Sequence, residues 1–167
     1  IYTDTVASGQ MPMRPGVVRL INEAREAGMR LGIATTTTPA NVTALLANNL
    51  APDAESWFEV IAAGGVVPAK KPAPDIYFYA MDAMQVKPEE CIAFEDSENG
   101  LRSAREADLA TLVTVSQYTE GQAFDDAALV LDNLGEPDSP FKVFSGDANG
   151  YKCVDLTLLK DLHGRSA

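Results

Sequence analysis

The feature that most constrains this chain is a regular alternation of short apolar runs with amphipathic segments of helical period. Arg14-Pro15-Gly16 opens the first such segment, in which Val17, Val18, Leu20, Ile21, Ala24 and Ala27 keep helical spacing. Pro15 suits a first turn and Gly28 a left-handed stop. A strand at 29–35 (MRLGIAT) is predicted directly after it. A second helix comes next, with Thr38 as N-cap, Pro39 at its first position, and Val42, Leu45, Leu46 and Leu50 along one face. The same grammar predicts strands at 57–62 (WFEVIA), 91–94 (CIAF), 109–115 (LATLVTV) and 128–132 (ALVLD), with helices at 75–86 and 99–107. Apolar strands alternating with amphipathic helices predict a doubly wound α/β domain around a mostly parallel, Rossmann-like sheet covered on both faces. Residues 141–154, where VF and YKCV flank Asp147 to Gly150, predict a small hairpin, and Leu156 to Leu162 a final helix.

Composition narrows the functional classes. A chain of 167 residues is long enough for one α/β domain with a real core, and 46% hydrophobic with 22% charged residues excludes collagen-like, disordered and coiled-coil chains. No apolar run approaches the roughly 20 residues of a membrane helix, so no membrane partner is expected. Lys and Arg number 13 against 24 Asp and Glu, a formal net charge of −11. Such a field argues against nucleic acid or an anionic membrane, yet permits a small anion where a local site supplies positive potential. Cys91 and Cys153 are too few for a disulfide framework, and Cys91, heading an apolar run, reads as a reduced core residue of a cytosol-like compartment. The single His163, near the end of the last helical pattern, reads as surface packing. The opening Ile1-Tyr2-Thr3-Asp4 carries no signal-peptide pattern and reads as the middle of something longer.

In open α/β sheets the ligand site lies beyond the carboxyl ends of the strands. Three such ends carry chemistry here. The first is Thr35-Thr36-Thr37-Thr38-Pro39, where hydroxyls and free backbone N–H groups meet a helix start that favours an anion. The same run also reads as strand residues entering a Thr cap. The second is the segment around Lys70-Lys71-Pro72-Ala73-Pro74, whose two prolines restrict the backbone and hold Lys71 on a stiff loop. A fixed ammonium serves a phosphoryl group that gathers charge, although solvated surface lysines would give the same sequence. The third is Glu95-Asp96-Ser97, where neighbouring carboxylates at a buried strand end need compensation. A hard divalent cation such as Mg²⁺ supplies it; helix capping is the alternative. Side chains alternate along a strand, so Glu95 and Asp96 converge only where the backbone leaves β geometry.

Taken in order, LGIATTTT (31–38), KKPAPDIY (70–77) and CIAFEDSENG (91–100) resemble the second, third and fourth motifs of the haloacid dehalogenase-like hydrolases. The branch it is most similar to holds β-phosphoglucomutase and the CbbY proteins, with ATTTTPANV and FEVIAAGGVVPAKKPAPDIY closest to the CbbY side. That resemblance implies a Mg²⁺-dependent phosphatase of sugar metabolism working through an aspartyl-phosphate on a small phosphorylated sugar, xylulose 1,5-bisphosphate in CbbY proteins. It also implies the roles of individual residues. Thr35 would hydrogen-bond the phosphoryl group, assisted by Thr36 and Thr37; Lys71 would pair with it; Glu95 and Asp96 would anchor Mg²⁺. The implied compartment is cytoplasmic, or the plastid stroma in a photosynthetic eukaryote.

The departures from the family are equally specific. Its first motif, an Asp-x-Asp pair after the opening strand, occurs nowhere in the chain. With it go the nucleophile, the general acid/base and the central strand that carries them. The division expected on this basis is the end of a helical cap with a linker at 1–12, a partial catalytic core at 13–137, and an extension at 138–167. This chain alone is therefore expected to be inactive, the missing N-terminal segment being a partner it requires. The alternatives are a β-phosphoglucomutase-type mutase, a phosphoglycolate-type phosphatase, or a non-catalytic phosphate- or metal-binding remnant. A receiver-type signalling domain also combines Asp, Thr and Lys, but in a different order. Asp108, where relatives tend to have Gly, is expected to adopt a left-handed conformation at modest cost.

Overall fold

A computed structural model describes residues 12–166 of the chain. The expected cap helix at 1–9 lies outside the described residues. Helix α1 (Val17–Glu26) begins after Gly16, whose φ of 83° places it in the left-handed region, and ends before Gly28 at φ 72°. Strand β1 (Gly32–Thr35) leads into α2 (Pro39–Asn49), and Thr38 caps that helix by accepting from the Asn41 N–H at 3.4 Å. Strand β2 (Val60–Ala63), α3 (Asp75–Met84), β3 (Ile92–Glu95), α4 (Glu98–Glu106), β4 (Ala110–Thr114) and β5 (Leu129–Leu131) follow in the order expected. Asp108 sits between α4 and β4 at φ 59°.

Three expectations are corrected. The strand at 29–35 begins only at Gly32, because the Met29 N–H still donates to the Ala24 carbonyl of α1. The strand at 57–62 begins only at Val60, because residues Ala54–Trp57 form a 3₁₀ turn. The Ser56 N–H donates to the Asp53 carbonyl at 2.9 Å, and the Trp57 ring receives the Arg25 guanidinium 3.5 Å from its centroid. The hairpin at 141–154 does not form. Strand β6 (Val143–Gly146) pairs antiparallel with β5 instead, and Val154 from the expected second arm is fully buried in the core. The rigid edge of β5 offers a ladder, whereas Val154 gains more from leaving water.

The sheet is divided. Parallel strands β1 and β2 form one sheet; β3, β4, β5 and β6 form another, parallel except at β6. Alternation along β4 and β5 then distributes the core. Leu112, Leu129 and Leu131 face α1 and the final helix α5 (Leu156–Ser166), packing with Leu20, Val154, Leu158 and Leu162. Val113 and Val130 face the other way, against Leu101 of α4 and Phe124. Helix α3 bridges the two sheets from below: Ile76, Tyr77, Ala80 and Met81 share one cluster with Ala62 of β2, Ala93 of β3 and Ala104 of α4. No helix among the described residues is long and apolar enough to cross a membrane.

Candidate active site

The carboxyl ends of β1 and β3 flank the line where the sheet is divided, and the sequence-predicted residues lie there. Thr35 is the last residue of β1. Its hydroxyl accepts from the Thr37 N–H at 3.2 Å, which turns the chain into α2, while Thr36 is left exposed. The stretch therefore is a Thr-capped helix start and also a set of outward-facing polar groups at the strand end.

Lys71 reaches across the division. Its Nζ donates to the Ala34 carbonyl of β1 at 3.0 Å and to Glu95 Oε1 of β3 at 2.5 Å. The pair is nearly dry, with side chains 12% and 6% exposed. Lys70, by contrast, is exposed. An ammonium presents three hydrogens, so these two bonds leave one for a ligand. The loop that carries Lys71 is tied down from α4, where the buried Ser103 hydroxyl donates to the Ala73 carbonyl at 2.7 Å.

Strand alternation decides the fate of the acidic pair. Glu95, the last residue of β3, points into the α3 side and is buried, whereas Asp96 points to solvent. The two carboxylates do not converge. Ser97 begins α4 by accepting from the Gly100 N–H at 3.2 Å, and the Glu98 N–H is taken by the Gln122 side chain at 2.8 Å. Among the described residues no group of three or more His, Cys, Asp or Glu is placed to hold a metal ion. The donor set fits Mg²⁺ in its usual open form, one or two protein carboxylates completed by water and phosphate oxygens. Asp96 is exposed and could serve such an ion, whereas Glu95 is engaged with Lys71.

Reasoning from motifs missed Tyr77. It lies within KKPAPDIY, one turn into α3, and its hydroxyl donates to the same Glu95 oxygen that holds Lys71. Burial first, and then the Glu95 carboxylate, push the phenol well above its ordinary range, so it stays a donor. The helical position was visible as an apolar one; that its polar tip would meet Glu95 was not. Arg14 was also missed. Its guanidinium donates to the Thr114 carbonyl at 2.9 Å, the Val115 carbonyl at 2.6 Å and the Asp132 carbonyl, clamping the carboxyl ends of β4 and β5.

The chain is similar to known proteins in sequence and fold. Residues 2–108 match the haloacid dehalogenase-like hydrolase family. The plasmid-borne CbbY protein of Cupriavidus necator is 43% identical over 162 residues, covering 97% of this chain and 63% of that protein. CbbY of Rhodobacter capsulatus is 51% identical over 126 residues, covering 75% and 56% respectively. The crystal structure of a mutant CbbY from Rhodobacter sphaeroides, in complex with xylulose-(1,5)bisphosphate, superimposes with a TM-score of 0.76 at 44% identity. It covers 79% of this chain and 59% of that one. The chain thus spans about six-tenths of the length of the relatives it matches. With its second, third and fourth motifs assembled at one strand-end edge, the chain belongs to the haloacid dehalogenase-like hydrolases, in their CbbY-type branch.

Proposed function

We propose that the full-length polypeptide is a Mg²⁺-dependent sugar-phosphate phosphatase acting on xylulose 1,5-bisphosphate, and that these 167 residues alone do not turn it over. The observation that carries the reading is the dry Lys71–Glu95 pair at the carboxyl ends of β1 and β3, which presents a fixed cation in an otherwise acidic protein. The likeness to a CbbY structure holding xylulose-(1,5)bisphosphate supports the choice of sugar.

In this reading Lys71 binds one phosphoryl oxygen with its remaining hydrogen, and Thr35 to Thr37 offer hydroxyl and backbone donors to the others. Asp96 would hold Mg²⁺, which when bound would neutralise phosphoryl charge. The attacking carboxylate has to come from the Asp-x-Asp pair, which is absent from these residues. Its strand has an evident seat. Among the described residues β1 and β3 each pair on one side only, and Phe94 in the middle of β3 is 41% exposed where a parallel-sheet residue is normally covered. A strand placed there would bring its carboxylates near Lys71: the first would attack phosphorus as the P–O bond to the sugar breaks, the second would give the leaving sugar oxygen its proton, and water would then hydrolyse the aspartyl-phosphate to free phosphate.

The test measures phosphate release from xylulose 1,5-bisphosphate by the full-length polypeptide and by residues 1–167, each with Mg²⁺ and with chelator. Release by the former only, abolished by chelator, is the expected result. Turnover by residues 1–167 would overturn the need for the missing pair. Interconversion of glucose phosphates without phosphate release by the full-length form would replace the phosphatase with a mutase.

A further inference from the structure

We propose that Tyr77 and Gly100 are positioning residues of this site: they clamp the Glu95 carboxylate from two sides so that it fixes the Lys71 ammonium in place. The inference rests on the proposed phosphatase reading and deepens it.

Glu95 is confined at both oxygens. Oε1 accepts from the Lys71 ammonium at 2.5 Å and from the Tyr77 hydroxyl. Oε2 lies against Gly100 in the first turn of α4. A Cβ at Gly100 would stand 1.9 Å from Oε2 and 2.4 Å from the carboxyl carbon, a distance no side chain tolerates. The Gly100 N–H is already given to Ser97, so what the glycine provides is space rather than a donor. Any larger residue would push the carboxylate out of the plane in which Lys71 and Tyr77 both reach it.

Tyr77 touches both members of the pair. Besides donating to Glu95, its ring lies 4.8 Å from the Lys71 Nζ, within the range where a cation is attracted to an aromatic face. The side chain is only 8% exposed and is held by α3 between Ala62, Ala93 and Ala104, so it has little freedom to follow a displaced carboxylate. Three groups on three elements (the Lys71 loop, α3 and α4) therefore define one carboxylate, and that carboxylate defines one ammonium. The consequence reaches the ligand. With Ala34 and Glu95 holding two of its hydrogens, the direction of the third is set by where Glu95 sits. If Glu95 is loosened, Lys71 keeps its charge but loses its aim, and aim governs the transition state more than it governs ground-state binding.

The decisive experiment uses the full-length polypeptide, with inorganic phosphate as the binding probe and xylulose 1,5-bisphosphate as substrate. Tyr77→Phe keeps the ring and removes only the hydroxyl. It is expected to lower kcat about tenfold, the size of one hydrogen bond to a charged group, with KM changing about twofold or less. Gly100→Ala is expected to do the same or worse. In a Glu95→Gln background, Tyr77→Phe is expected to add less than about twofold, because the two residues act through one carboxylate. A Tyr77→Phe protein whose kcat stays within about twofold of wild type overturns the proposal, as does an undiminished effect in the Glu95→Gln background. Should Gly100→Ala fail to fold, the Tyr77 and Glu95 cycle decides alone. Failure of the wild-type protein to bind phosphate or release it from the substrate would instead sink the phosphatase reading, so the two failures are told apart.

Discussion

Replacing Lys71 by Met tests the energetics of the central pair. Methionine keeps most of the lysine stem and removes the charge, leaving the Glu95 carboxylate, 6% exposed, with the Tyr77 hydroxyl as its remaining donor. Removing one member of a buried ion pair generally costs about 3–5 kcal/mol, because the other charge stays desolvated and unpaired. The retained Tyr77 bond puts the expectation near the lower end, about 3 kcal/mol. Replacing both charges should be much milder: Lys71→Met with Glu95→Gln leaves a neutral amide that Tyr77 can still serve, and is expected within about 1 kcal/mol of wild type. The two single changes are thus strongly non-additive, the mark of a direct contact. Urea unfolding of the full-length polypeptide, followed through Trp57 and analysed by linear extrapolation, measures all four members of the cycle. A Lys71→Met loss below about 1 kcal/mol would refute the reasoning, since it would mean that water screens the pair as it does on a surface.

Further expectations concern the framework. Gly16 and Gly28 both have positive φ, but a Cβ at Gly16 would meet the Gly135 carbonyl oxygen at 2.5 Å and the Leu134 Cβ at 2.6 Å, whereas one at Gly28 meets nothing within 4 Å. Gly28→Ala should therefore cost only the left-handed strain of about 1–2 kcal/mol, and Gly16→Ala about 1–3 kcal/mol more, read from denaturant midpoints. Equal losses would contradict the steric argument. Leu158 of α5 is fully buried in the cluster that joins α1, β4 and β5, so Leu158→Ala is expected to lose about 2–5 kcal/mol. A change of a few tenths would show that α5 does not contribute to the core. Burial, and after it the Glu90 carboxylate, push the Cys91 thiol above its ordinary value. Thiolate is the reactive form, so alkylation of Cys91 by iodoacetamide, followed by mass spectrometry across a pH series, should reach half its limiting rate at a higher pH than free cysteine run alongside. A midpoint at or below that of free cysteine would contradict it.

Legibility in the sequence followed the range of the interactions. Thr38 could be recognised as a cap and Gly28 as a left-handed stop because both are decided within a few residues of backbone, and the structure has them so. Asp108 at φ 59° belongs to the same class. Trp57 sits in an apolar stretch that reads as strand, but it ends a 3₁₀ turn closed by the Ser56 and Phe58 N–H groups, and its ring meets Arg25 from α1, a contact that local pattern does not carry. The expected pairing of 143–144 with 151–154 failed for a similar reason. Local pattern marks a segment as extended without saying which edge it joins, and the edge of β5 was the better partner.

The candidate site divides along the same line. Alternation of apolar runs with amphipathic helices was enough to determine an α/β fold, and the residue types at its strand ends, Thr35, Lys71, Glu95 and Asp96, were enough to mark a candidate anion site. Those features depend on period and on chemical identity, which the chain carries in its own order. Only the tertiary structure decided that Glu95 turns inward to Lys71 while Asp96 turns out, and that Tyr77 and Gly100 close around the carboxylate. These outcomes depend on which face of a strand is buried and on what a third element places opposite it. Tyr77 and Glu95 are 18 residues apart, and nothing in the sequence between them specifies that they meet.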